Sequence, residues 1–144
     1  MNSDIKVKLF LVDDDAVFLK TLEMEFLQHA NFSIETFATG EDCLVALSHK
    51  PDAIILDYLL DGIEKNVMNG IEVLDRIKAY DPEIPVIMLS AQDKIEVAVD
   101  CMHHKAFDYV VKSETAFFRL QKIIRIIFKY RKMEKTLNWY MERM

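Results

Sequence analysis

Acidic residues follow two apolar runs of the chain, at points where strands are expected to end. Asp13 and Asp14 come after Val7–Val12, and Asp57 comes after residues 53–56. In an open parallel sheet, ligands bind beyond the carboxyl ends of the strands, so we expect these acids to converge. At a separation of ~4 Å and an effective dielectric of ~20, each carboxylate pair repels by ~4 kcal/mol, so the cluster favours a bound cation. Mg²⁺ suits such a site because it takes oxygen ligands, uses few carboxylates and keeps several waters.

Two further polar residues follow apolar runs in the same way. Ser90 comes after residues 86–89 and Lys112 after residues 109–111, so both are expected to point into the same crevice. With a metal shielding its charge, Asp57 is a candidate nucleophile towards a phosphoryl donor and would form an acyl phosphate. Lys112 would balance the charge of the phosphoryl oxygens, and Ser90 would donate a hydrogen bond to one of them.

The elements that must position these residues alternate along the chain. Five continuous apolar runs predict buried strands at residues 7–12, 32–37, 53–56, 86–89 and 109–111. Five helices are expected between and after the strands. One starts at residues 39–42, and the last starts near Ser113 or Glu114. The other three are marked by apolar stripes: Phe18, Leu22, Phe26 and Leu27 in the first, Ile71, Leu74 and Ile77 in the third, and Ile95, Val99 and Met102 in the fourth. This alternation predicts an α/β fold with a parallel sheet and helices on both faces.

Composition narrows the class of protein. The chain of 144 residues is 51% hydrophobic and 29% charged, which suits one globular domain. Cys43 and Cys101 lack the spacing of a metal site or a disulfide framework, which fits a reducing compartment. No apolar run approaches the ~20 residues of a membrane span. We therefore expect a cytoplasmic protein with no membrane partner.

The residues at the strand ends, taken together, resemble the receiver domain of bacterial two-component response regulators. The resemblance rests on Asp13-Asp14, Asp57, Ser90 and the segment 109–112, and it covers roughly residues 5–128. It implies a doubly wound, flavodoxin-like fold: a five-stranded parallel sheet of order 2-1-3-4-5 with five helices, the last extended. It also implies transfer of a phosphoryl group to Asp57 from a histidine kinase or a phosphorelay protein, with Mg²⁺.

The resemblance also assigns roles to individual residues. It implies that Asp14 and Asp57 supply metal oxygens, that Asp13 acts through water, and that the backbone carbonyl of Leu59 is a further ligand. It implies a switch formed by Ser90 and Tyr109, which couples Asp57 to the face made by the fourth helix, fifth strand and fifth helix. A protein of this kind is a signalling switch that catalyses only its own phosphorylation and slow dephosphorylation.

The chain departs from the family in the segment after Asp57. Residues 58–69 form a loop about five residues longer than is usual in receivers. This loop has three open interpretations: it selects a kinase, it shields the phosphoryl group, or it is neutral, since lengthening a surface loop costs little. Leu59 lies two residues after Asp57, where the resemblance places it beside the path of the water that would attack the phosphoryl group. Because a leucine side chain cannot orient this water, we expect slow self-dephosphorylation.

Two other classes of function remain open. One is a receiver-like interaction module that never takes phosphate. Such a module would not need Asp13, Asp14, Asp57, Ser90 and Lys112, and the presence of all five argues against it. The other is a metal-dependent phosphohydrolase, which would need a second acid two residues after the nucleophile. Leu59 occupies that position, which argues against a turnover enzyme.

The C-terminal segment has a pattern of its own. Residues 1–118 contain ten Lys and Arg against twenty-two Asp and Glu, whereas residues 119–144 contain eight against two. The basic residues are spread around the helix, so we expect no nucleic-acid binding by this chain. Positions a and d of three heptads carry apolar residues, namely Ile123, Ile126, Tyr130, Met133, Leu137, Tyr140 and Met144.

These heptads predict that residues 129–144 extend the fifth helix beyond a receiver domain at residues 1–128. The extension is interpreted as a linker or as the seam of a homodimer. The alternative is that Trp139, Tyr140 and Met141 fold back on the body or fray. The seam favours a fragment of a longer regulator over a single-domain regulator whose output is binding.

Overall fold

A computed structural model describes residues 6–29, 31–62 and 66–144 of the chain. The strands are β1 (Val7–Val12), β2 (Phe32–Phe37), β3 (Ala53–Asp57), β4 (Val86–Ser90) and β5 (Asp108–Val111). The helices are α1 (Ala16–Leu27), α2 (Gly40–Val45), α3 (Gly70–Tyr80), α4 (Ile95–His103) and α5 (Ala116–Glu142), and a short 3-10 turn (Ala46–His49) follows α2. All five predicted strands are present, and β3 and β4 each continue one residue further, to Asp57 and Ser90.

The strands form one sheet in the order β2-β1-β3-β4-β5, with every pair parallel. This confirms the predicted fold class. Every residue of β3 and β4 is buried, which explains why these strands are continuous apolar runs rather than alternating ones. The carboxyl ends of the central strands consequently meet at one edge of the sheet.

Alternate strand residues feed two cores on opposite faces of the sheet. Leu9 and Leu11 of β1 pack with α1 and α5, whereas Phe10 and Val12 pack with α2, α3 and α4. This follows from the two-residue period of a strand, which sends successive side chains to opposite faces. Both cysteines are buried in the second of these cores, as packing residues.

Polar side chains begin three of the helices. Asp15 accepts hydrogen bonds from the backbone of α1, and Thr39 caps α2 through the Asp42 amide at 3.2 Å, as predicted. Asn69 and Glu72 form a reciprocal capping box on α3. The α3 cap fixes the point where the long loop after β3 ends.

The apolar stripe predicted for α4 is wrong. Ile95, Val99 and Met102 are 75%, 60% and 49% exposed, and the residues that reach the core are Val97 and Cys101. Both sets have helical spacing, and the sheet contacts the face that carries the smaller residues. The body of α4 therefore presents an apolar surface outward.

Two further expectations for the helices need correction. Leu27 is 55% exposed, because Leu22 and Phe26 already point to the core and the next position along α1 is rotated away. The last helix begins at Ala116 rather than at Ser113 or Glu114. There the chain first makes a turn, in which the Ser113 hydroxyl accepts from the Thr115 amide at 3.3 Å.

Helix α5 has 27 residues, a length of ~40 Å. Its first half packs on the sheet through Leu120, Ile124 and Ile127. Arg131 then contacts Asp52 at 3.4 Å, and every residue from Lys132 onward is exposed. The tail does not fold back on the body, and α5 crosses residue 128 without a break, so a domain boundary there stays a prediction. Within the described part of the chain, no helix combines the length and the apolar character needed to cross a membrane.

Candidate functional site

The carboxyl ends of four strands bring the candidate residues together. The Asp13 amide donates to the Phe37 carbonyl at 3.0 Å, which fixes the chain just beyond β1. Asp57 and Ser90 are the last residues of β3 and β4, and the Lys112 amide donates to the Ser90 carbonyl at 2.8 Å. Backbone pairing therefore delivers each side chain to the same edge of the sheet.

Three carboxylates and one ammonium group form the centre of the site. Asp13, Asp14 and Asp57 each offer an oxygen within 4.8 Å of the others. Asp13 and Asp57 are 2% and 4% exposed. The Lys112 ammonium lies 2.7 Å from Asp13 Oδ2 and 3.5 Å from Asp57 Oδ2. One cation thus faces more negative charge than it can neutralise.

This imbalance changes the ionisation of the buried groups. Burial, and then the neighbouring Asp13 charge, raise the pKa of Asp57 from 3.8 to about 7, against the opposing influence of Lys112. Burial by itself lowers the pKa of Lys112, but its contacts with Asp13 and Asp57 outweigh burial and leave the pKa raised. Lys112 therefore stays charged, while Asp57 is held close to the point of protonation at neutral pH.

The donor set fits a small hard cation. Asp13 Oδ2 is buried and, although Lys112 lies nearby, it has no hydrogen bond of good geometry among the described residues. The other Asp13 oxygen accepts from the Asp15 amide at 2.9 Å, which holds the carboxylate in place. A cluster of carboxylate oxygens with more negative charge than Lys112 neutralises suits Mg²⁺.

A cleft of about 480 Å³ opens over Asp57. It is lined by Asp14, Asp15, Ala16, Val17, Asp57, Tyr58, Leu59, Gly62, Ser90, Ala91, Gln92 and Lys112. Leu59 is 54% exposed at this cleft, and Ser90 and the small residue Ala91 both line it. The cleft has space for a phosphoryl group and for part of its donor.

Ser90 and Tyr109 are linked through one residue of the β4–α4 loop. Ser90 Oγ accepts from the Gln92 amide at 3.0 Å, and the Tyr109 hydroxyl donates to the Gln92 carbonyl. Tyr109 is half-buried against the core that α4 shares with the sheet. A change in the position of Ser90 would therefore alter the hydrogen bonds of the loop and of Tyr109.

Several contacts at the site were not anticipated from the sequence. The Lys112 ammonium lies 4.7 Å from the centre of the Phe18 ring, so a residue predicted only as core also holds the lysine. Gly62 of the long loop lines the cleft. A Cβ at Gly70 would lie 2.3 Å from the Asp57 carbonyl, so only glycine allows α3 to start so close to the site. The Asn69-Gly70 pair is the sequence signal that marks this position.

Tyr58 forms a second unanticipated contact. Its hydroxyl donates to Asp100 on α4 at 3.1 Å, which connects the residue next to Asp57 to the exposed helix. Asp61, a loop acid close in sequence to Asp57, does not line the cleft.

Comparison with known proteins gives a consistent result. The family model of the response regulator receiver domain matches residues 9–125. The DNA-binding transcriptional regulator NtrC of Klebsiella pneumoniae is 32% identical over 130 residues, which cover 90% of this chain and 26% of NtrC. The first curated relatives that this chain matches are longer proteins, and it spans only 21% to 32% of their length.

Solved structures agree with this fold. The signal receiver domain of a LuxO repressor protein from Vibrio parahaemolyticus has a TM-score of 0.78 at 25% identity, covering 92% of this chain and 98% of that one. CheY of Borrelia burgdorferi has a TM-score of 0.74 at 27% identity, covering 87% of this chain and 92% of that one.

Proposed function

This chain belongs to the response regulator receiver domain family, and we propose from that premise that Asp57 accepts a phosphoryl group in a two-component pathway. The donor is the phosphohistidine of a histidine kinase or of a His-phosphotransfer protein. The observation that carries the proposal is the buried Asp57 carboxylate at the cleft, beside two further acids and 3.5 Å from Lys112. Each neighbour suits a step of in-line phosphoryl transfer.

In this reaction an Asp57 oxygen forms a bond to phosphorus while the bond from phosphorus to the donor's imidazole nitrogen breaks. Asp14, Asp57 and the Leu59 carbonyl would hold Mg²⁺, with Asp13 acting through water. When bound, Mg²⁺ neutralises charge on the carboxylates and on the phosphoryl oxygens. Lys112, already charged and oriented by Asp13, pairs with a phosphoryl oxygen, and the Ser90 hydroxyl donates to another.

The phosphoryl group would then act on the rest of the domain through Ser90. To reach a phosphoryl oxygen, Ser90 Oγ gives up the Gln92 amide, and Gln92 also holds the Tyr109 hydroxyl. Tyr109, which packs against the core that contains Val97 and Cys101 of α4, would then be free to repack there. This coupling is the switch by which Asp57 controls the face made by α4, β5 and α5.

A relative supports the chemistry. CheY of Borrelia burgdorferi was solved in a complex with CheX, BeF₃ and Mg²⁺. The acidic cluster of the present chain offers the oxygen ligands that such a metal needs. We infer that Mg²⁺ is the cofactor here, and that the chain catalyses only its own phosphorylation and slow dephosphorylation.

The buried free thiols of Cys43 and Cys101 suit the reducing cytoplasm, where we place the protein.

A second candidate is a receiver-like module that binds a partner without phosphate. It is favoured by one observation: α4 exposes Ile95 and Val99 as an apolar surface. In this case the acidic cleft would be a structural remnant, and partner binding would be unchanged when Asp57 is replaced.

Intact-mass measurement after incubation with acetyl phosphate and Mg²⁺ tests the proposal. We expect one phosphoryl adduct on the wild-type chain and on Asp61→Asn, a control that alters an acid outside the cleft. We expect none on Asp57→Ala or without Mg²⁺. Folded protein that takes no phosphoryl group from acetyl phosphate or from phosphorylated histidine donors would contradict the proposal and favour the second candidate.

A further inference from the structure

The C-terminal half of α5 carries an apolar stripe that the body of the protein leaves uncovered. It consists of Ile126, Tyr130, Met133, Leu137, Tyr140 and Met144. Each of these side chains is at least half exposed, from 50% for Ile126 to 102% for Met144. The exposure is systematic, because the residues recur at alternating intervals of four and three, as positions a and d of a coiled coil do.

The stripe is distinct from the face that holds α5 on its own sheet. That face consists of Leu120, Ile123, Ile124 and Ile127, all buried, and it ends at the Arg131–Asp52 ion pair. Ile123, which the heptad pattern predicted at position a of the seam, is therefore a core residue, and the stripe begins at Ile126. Because the two sets of residues point in different directions around the helix, a second helix can cover the stripe while α5 stays docked. The packing of the domain thus gives no reason for the stripe to be apolar.

We propose that the stripe pairs with the same stripe of a second copy of this chain, as a parallel two-stranded coiled coil. Charge complementarity identifies this occupant. In a parallel pair each residue at position g faces the following e of the partner, so Lys129 faces Glu134 of the second copy, twice per dimer. Both residues are exposed and available for this contact.

The opposite orientation lacks this complementarity. An antiparallel pair sets g beside g and e beside e. The g positions Lys129, Thr136 and Arg143 would then face one another, and none of them is acidic. Glu134, at position e, would face other e positions and could not pair with Lys129. The proposal needs neither phosphorylation nor the acidic site, so it stands or falls independently of the proposed function.

The oligomeric state tests the proposal, measured by sedimentation velocity over a range of concentrations in wild type and in Asp57→Ala. We expect a monomer–dimer equilibrium in both. Leu137→Glu should weaken association at least ~10-fold, since it places a charge in the seam. Trp139→Glu is the matched control: it also replaces a large exposed apolar residue by an acid, but at position c, and it should leave association unchanged.

Orientation is tested by cysteine substitution under oxidising conditions. Leu137→Cys should give a disulfide-linked dimer, because like positions meet in a parallel seam, whereas Asn138→Cys at position b should not. Cys43 and Cys101 are buried and do not compete. A monomer at all concentrations, a trimer, a dimer that survives Leu137→Glu, or equal cross-linking at both positions would each overturn the proposal.

Discussion

The acidic cleft and the α5 tail depart from ordinary burial in opposite ways. In the cleft, the carboxylates of Asp13 and Asp57 are almost wholly buried, whereas in the tail Leu137 and Met144 are exposed to water. The cleft holds more negative charge than Lys112 neutralises, and the tail lacks apolar contact. Both regions are incomplete as parts of an isolated chain, because buried like charges and exposed apolar side chains each raise its free energy. In the functions proposed above, a cation and a phosphoryl group would complete the cleft, and a second copy of the chain would complete the tail.

The largest expected effect separates two leucines on the same helix. Leu120 is fully buried and Leu137 is 58% exposed. We expect Leu120→Ala to lower the free energy of unfolding by ~2 to 5 kcal/mol, and Leu137→Ala, at concentrations where the chain is monomeric, to change it by less than ~0.5 kcal/mol. Urea unfolding checks both. A similar cost at the two positions would mean that the tail packs on its own body.

The acidic half of the comparison is tested by pH. The ordinary pKa of 3.8 and the folded pKa of about 7 define the window. As pH rises through this window, Asp57 ionises in the unfolded chain before it does so in the folded one. Folding is therefore progressively destabilised, and the penalty is complete above about pH 7.

Asp57→Asn should remove this penalty in metal-free protein. The gain in free energy of unfolding over wild type should be larger at pH 8 than at pH 5.5, by a few kcal/mol at most, since one pKa unit is worth ~1.4 kcal/mol. Urea unfolding with a chelator measures it, and saturating Mg²⁺ should shrink the gain by stabilising the wild type. An equal gain at both pH values would show that Asp57 is not held in this unfavourable state.

The two regions also differ in what the sequence could predict. Asp13, Asp57 and Ser90 follow continuous apolar runs, and the geometry of parallel strands places the ends of such runs at one edge. Their proximity could therefore be predicted. The face that α4 buries could not, because Ile95 and Val97 both belong to sets with helical spacing. Only tertiary packing, in which the sheet contacts Val97 and Cys101, decides between those sets.

The same limit applies to contacts between distant segments. Phe18 beneath Lys112 and Tyr58 beside Asp100 depend on how helices settle on the sheet, which no local pattern specifies. The tail is the opposite case. Its heptads could be recognised from the sequence because a coiled coil is periodic. That these residues are exposed could be established only from the structure, which shows which face of α5 packs on the sheet.

Leu59 belongs to both halves of the comparison, because it is an exposed apolar residue at a polar cleft. An amide there could hold the water that attacks the aspartyl phosphate, whereas the leucine cannot. We expect Leu59→Asn to speed self-dephosphorylation by about tenfold or less, since an orienting group supplies position but removes no proton. The decay of the phosphoryl adduct by intact mass measures this rate. Leu59→Met is the apolar control, and a decay that is unchanged in Leu59→Asn would rule out the role assigned to this position.

The smallest expected effect concerns the link from the polar site to the apolar face of α4. The Tyr58 hydroxyl donates to Asp100 at 3.1 Å, and Asp100 also lies 3.6 Å from His104. Because the hydrogen bond is only partly buried, Tyr58→Phe should cost about 1 kcal/mol of unfolding free energy. Tyr80→Phe, at an exposed tyrosine of α3, is the control and should cost nothing measurable. If this link carries information from Asp57 to α4, Tyr58→Phe will also raise amide exchange in α4 of the unphosphorylated protein without raising it in α3. Equal exchange in α4 of both variants would leave the Gln92–Tyr109 connection as the route between the two regions.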